Sequence, residues 1–79
     1  MAARPGPFGI QPAKALLQEA GIAQEDAATA VGVSREYVNM ILNGSSRPSL
    51  PVAAGLAELL GRPIEAIFTR KMLGLGRRR

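Results

Sequence analysis

The sequence has 79 residues, 47% apolar and only 4% aromatic, which is enough for one domain with a small aliphatic core. It contains no Cys and no His, which excludes disulfides, thiolate or imidazole metal sites, thiol nucleophiles and histidine acid–base catalysis. Net charge is +4, with a sequence pI near 10.8, and the excess is uneven: residues 1–34 hold two bases against three acids, whereas residues 35–79 hold eight bases against Glu36, Glu58 and Glu65.

Residues 1–9 are rich in Pro and Gly and read as a flexible arm carrying one base, Arg4. A first helix is predicted from Pro12, whose missing N–H costs nothing in a first turn. Ala13, Leu16, Leu17 and Ala20 form its inward stripe, and Gly21 ends it. Ile22 plugs the core before a second helix, from about Gln24 to Ala30, with Glu25 and Asp26 in its first turn favouring the helix dipole. Its inward residues are Ala27, Ala28 and Val31. Gly32 stops this helix, Val33 points inward and Ser34 caps the next.

The third helix, about Arg35 to Leu42, places Val38, Ile41 and Leu42 at i, i+3, i+4 on one apolar face. Asn43-Gly44 stops it, and a polar linker, Ser45-Ser46-Arg47-Pro48, follows. Ser49 caps a fourth helix in which Pro51 is tolerated only in the first turn. Ala53, Leu56, Ala57 and Leu60 are its inward positions, and Gly61 closes it. Pro63 opens a fifth short helix, with Ile64, Ile67 and Phe68 covering the core. The sequence is therefore predicted to be all-α, a compact bundle of about five short helices. Its divisions are an arm over 1–9, a domain over 10–70 and a basic tail over 71–79 that ends in Arg77-Arg78-Arg79.

The outer face of the third helix carries Arg35, Glu36, Asn39 and Met40. Their chemistry suits base edges in a major groove: Arg for guanine O6/N7, Asn for adenine N6/N7, Glu for cytosine N4, and Met for a thymine methyl. Tyr37, Asn43, Ser45, Ser46 and Arg47 lie around the same helix and its following loop, and with Ser34 they are candidates for the phosphate backbone. The excess of base over acid from residue 35 onward fits a polyanionic partner.

Gln24, Ala28, the Gly32-Val33-Ser34 turn, Val38, Ile41 and Asn43-Gly44 together resemble the lambda-repressor-like, Cro/CI-type helix-turn-helix regulators. The resemblance extends through Pro48-Ser49-Leu50 and Leu56-Ala57-Glu58-Leu59-Leu60-Gly61 to Ile64-Glu65-Ala66-Ile67-Phe68, roughly residues 12 to 68. It implies that helices 2 and 3 form the helix-turn-helix and that Gln24 touches a phosphate while bracing the recognition helix, 35–42. Two positions depart from the pattern. Ala27 stands where a larger aliphatic is usual, implying a thinner core, and Ala23 stands where a Thr or Ser cap is usual.

The resulting expectation is a sequence-specific transcriptional regulator of the phage or prophage Cro or repressor type. It binds double-stranded DNA as a homodimer and needs no cofactor, metal or small-molecule substrate. Residues Ile64 to Leu75 are the expected dimer region, through Ile67, Phe68, Met72, Leu73 and Leu75. Two other readings fit the same residues: an antitoxin that binds its own promoter, and a protein-interaction module without DNA binding. No nucleophile–base or paired-carboxylate constellation suggests an enzyme. No stretch approaches the ~18 consecutive apolar residues of a membrane span, and residues 1–7 lack the apolar core of a secretory signal, so a cytoplasmic protein is expected.

Overall fold

Side-chain caps fix where several helices begin. Ser34, Ser49 and Thr69 each sit in extended backbone and accept a hydrogen bond from the amide three residues on, from Tyr37 at 3.1 Å, Val52 at 3.4 Å and Met72 at 3.2 Å. The computed structural model describes residues 5–74. Over that range the elements are α1 (Pro12–Glu19), α2 (Gln24–Val31), α3 (Arg35–Leu42), α4 (Leu50–Leu60), α5 (Ile64–Ile67) and α6 (Arg70–Leu73), with no strand among the described residues. None of these helices is long and apolar enough to cross a membrane. Ala23 stands at the head of α2 in the same extended backbone as the capping residues, but supplies no side-chain acceptor. Gly32 ends α2 at φ 79°, a conformation that turns the chain at once into the cap of α3.

The core is built around α3, whose Val38, Ile41 and Leu42 are fully buried. Ala13 and Leu17 of α1, Ala27 and Ala28 of α2, Leu56 of α4, and Ile67, Phe68 and Met72 close around them. Small residues set the spacing. At Gly55 an added Cβ would lie 2.8 Å from Val31 Cγ1, so α4 passes α2 at a position without a side chain. The inward stripes differ from expectation at their edges: Ala20 is exposed, Leu16, Val31 and Leu60 are half-buried, and Val52 is buried. Short helices at a domain surface rotate their end residues out of contact, which accounts for Ala20 and Leu60.

Phe68 enters the core from extended backbone after α5, at φ −129°, and the chain then restarts as α6, an element absent from the sequence reading. This removes Ile67, Phe68 and Met72 from the expected dimer region. Ile67, Phe68 and Met72 are at most 1% exposed and serve the domain's own core, Ile64 and Leu73 are half-buried against it, and Leu75 lies outside the described residues. With so few aromatic residues, the domain uses its C-terminal apolar side chains internally.

The described part of the expected flexible arm, residues 5–9, is also different. Its amides satisfy carbonyls just past α3: Gly6 N–H donates to Asn43 O at 2.7 Å and Phe8 N–H to Gly44 O at 3.0 Å, while Gln11 N–H reaches Leu42 O at 2.8 Å. Phe8 packs against the core. The crossing is so close that a Cβ on Gly44, at φ 80°, would overlap the Gly9 backbone. Gln11, 1% exposed, locks the arrangement. Its Nε2 donates to the Phe8 and Gly9 carbonyls at 3.1 and 2.9 Å, and its Oε1 accepts from Thr69 N and Oγ1 at 2.8 and 3.3 Å. One buried amide thus joins the leader to the head of α6. Pro and Gly read as disorder by composition, but here they let a backbone pass close beneath a helix end.

Candidate nucleic-acid interface

The buried face of α3 dictates what its other face can be. Because Val38, Ile41 and Leu42 point inward, the helical repeat turns Arg35, Glu36, Asn39 and Met40 outward, and all four are exposed. The N-terminus of α2 lies beside them. Gln24, Arg35, Glu36 and Asn39 together line one polar depression of about 160 Å³. Three of the four base-facing candidates thus share one concavity with Gln24, while Met40, 44% exposed, stands apart from its lining. Chemically, the depression combines a cation, an anion and two amides, so it offers donors and acceptors without favouring either.

The residues expected at the DNA backbone separate into two groups. Ser34 is exposed, and its oxygen already accepts from Tyr37 N, which leaves the hydroxyl proton free to donate outward. Ser45 is exposed, Ser46 half-buried and Arg47 exposed on the loop after α3. The Arg47 guanidinium lies 5.1 Å from the centre of the Phe8 ring, and the backbone of Gly74 flanks it, where an added Cβ would sit 3.9 Å from its Nη2. Ring and cation attract, which holds this arginine over Phe8 of the leader.

Tyr37 and Asn43 are held within the protein. The Tyr37 hydroxyl donates to Arg47 O and accepts from Ser49 N–H, both at 3.3 Å, which staples the α3–α4 loop to α3. Its single proton is therefore engaged within the protein, where Tyr37 braces the loop. The Asn43 carboxamide bridges two side chains: Oδ1 accepts from Lys14 Nζ at 3.2 Å, and Nδ2 donates to Asn39 Oδ1 at 3.1 Å. At the end of α3, Gly44 N–H donates to Ile41 O at 3.0 Å and Ser45 N–H to Met40 O at 2.8 Å, the paired pattern of a glycine-terminated helix.

Sequence reasoning missed Phe8, Gln11 and Lys14. Phe8 carried a readable signal, being one of two Phe in an aromatic-poor chain and standing within a Pro/Gly stretch. Lys14 carried none, since its partner is 29 residues away on another helix.

Comparison with known proteins agrees with this geometry. A search of the curated proteins finds no match. A helix-turn-helix family model matches residues 14–67, which run from the third residue of α1 to the end of α5 and include both helices of the depression. The chain belongs to the Cro/C1-type helix-turn-helix family of DNA-binding transcription regulators.

Proposed function

We propose that this regulator is of the phage or prophage Cro or repressor type and reads a specific operator through α3 in the major groove, acting inside a bacterial cell or phage-infected host. The observation that carries the reading is the shared depression of Gln24, Arg35, Glu36 and Asn39 beside exposed Met40, directly above a fully buried α3 face. A short helix fixed on one side and polar on the other is suited to insertion between phosphate backbones. Arg35, Glu36, Asn39 and Met40 face base edges in this reading. Gln24, Ser34, Ser45, Ser46 and Arg47 meet phosphates, with Tyr37 and Asn43 holding the loop and helix end in place. One such helix spans too few base pairs for useful specificity, so the active form is a homodimer on half-sites about one turn (~34 Å) apart.

A salt titration on duplex DNA tests this. Each phosphate neutralised by a base contributes a slope of about −0.9 in a log–log plot of affinity against salt, so affinity falls steeply with ionic strength. Absence of binding even at low salt would remove the reading. Sedimentation of the protein–DNA complex tests the stoichiometry, and one protomer on a full operator would refute the dimer.

A further inference from the structure

We propose that Lys14, on α1 and outside the lining of the depression, fixes the polarity of the Asn43 and Asn39 carboxamides and thereby selects which base edge Asn39 prefers. This rests on the assignment of Asn39 to the base-facing set. The argument follows from donor and acceptor chemistry. A lysine ammonium carries three donors and no acceptor, so the Asn43 atom facing Lys14 Nζ at 3.2 Å has to be the carbonyl oxygen. The other end of that carboxamide is then the amine, and it meets Asn39 across one helical turn at 3.1 Å. Asn39 in its turn presents Oδ1 to Asn43. Its own Nδ2 is left as the free end. One half-buried cation on α1 thus orients two amides in series, the second exposed beside Arg35 and Glu36 in the depression.

A free amine selects acceptors. In the major groove those are guanine N7 and O6, adenine N7 and thymine O4. Without the lysine no bond from α1 fixes the direction of the amide chain. Reversed, Asn39 would offer Oδ1 and favour the exocyclic amines of cytosine or adenine. The side chain that decides between these states touches no base itself, so Lys14 is a positioning residue for specificity.

The test is selection from a random-sequence duplex library by the wild-type protein and by Asn39→Ala, Lys14→Met, Lys14→Glu and Lys14→Arg. Asn39→Ala identifies the position that Asn39 reads, by loss of preference there. Lys14→Met should relax that position by about fivefold, the lower end of what one base contact is worth, and leave the others unchanged. Lys14→Glu, an acceptor in place of a donor, should move the preference toward a base with an exocyclic amine. Lys14→Arg keeps the donors and should keep the wild-type preference, which also controls for folding. If Lys14→Met and Lys14→Glu retain the wild-type preference, or weaken all sequences alike as a phosphate contact would, the proposal is overturned. The side-chain amide NMR signals of Asn39 and Asn43 in free protein report on the relay without DNA. They should shift in Lys14→Met, and unchanged signals would refute the relay even if operator binding is normal. A wild-type protein that enriches no sequence would instead refute base reading by Asn39 and, with it, the specificity role.

Discussion

The two ends of α3 are built on different plans. At its N-terminal end a single hydroxyl, that of Ser34, caps the helix, and Arg35 and Glu36 extend into the depression. At its C-terminal end the backbone closes on Gly44, the leader runs across it, and Asn43 ties the helix to Lys14 of α1, while Tyr37, in the first turn, holds the α3–α4 loop and α4's cap residue. The difference separates adaptable side chains from a rigid mount. Arg35 and Glu36 face the depression from the first turn, while the far end of the helix is held where its carbonyls would otherwise be unsatisfied.

The strongest way to break the comparison is at the glycines that end α2 and α3. Both have positive φ, yet only Gly44 has a backbone pressed against it. Gly44→Ala should cost about 1–2 kcal/mol for the left-handed backbone and a further ~1–3 kcal/mol for overpacking against Gly9. Gly32→Ala meets open space and should cost only the first part, about 1–2 kcal/mol. Denaturant titration of both variants gives the difference. Equal losses would mean that the leader does not hold the end of α3.

Next in size are two arginines of equal charge and different setting. Arg35→Ala should lose ~1–3 kcal/mol on the selected site and much less on scrambled duplex, because it removes a base contact from the first turn of α3. Arg47→Ala, in the braced loop, should weaken both duplexes more nearly alike and reduce the salt slope by about one. Binding isotherms on the two duplexes separate these outcomes. Equal loss on both for Arg35→Ala would make it a phosphate contact and put the register of α3 in error.

Much of this contrast was legible in the sequence. The caps Ser34 and Ser49, the stops Gly32 and Gly61 and the apolar triplet Val38, Ile41 and Leu42 are local signals, each decided within one helical turn, and they place α2 to α4 within about a residue. The rest is long-range. The leader's docking, the Gln11 clasp to Thr69 and the Lys14 bond to Asn43 join segments 29 to 58 residues apart, where periodicity says nothing. α6 went unseen because it is a single turn separated from α5 by two extended residues, Phe68 and Thr69. Ile67, Phe68 and Met72 read as a dimer surface in the sequence for a related reason, since apolar residues beyond a presumed core look surplus until the leader and α6 complete that core.

Smaller effects sharpen the picture. Ala23→Ser supplies the missing acceptor at the head of α2 and should stabilise by ~1 kcal/mol, raising the thermal midpoint by about 4–8 °C with DNA affinity unchanged. An unaltered or lower midpoint would show that α2 starts elsewhere. Phe8→Leu keeps an apolar side chain against the core but removes the ring under Arg47, and should cost about 0.5–1 kcal/mol in a melt. No change would indicate that Arg47 is positioned by the loop alone.

The most direct test of α3 as a reading helix with a free N-terminal end is methylation interference on a library-selected operator, which reports contacts at guanine N7 in the major groove. Wild-type protein should be excluded by methylation of one guanine in each half-site, and Arg35→Ala should lose that interference while other contacts persist. Full binding of wild-type protein to operators methylated at every guanine would place α3 outside the major groove.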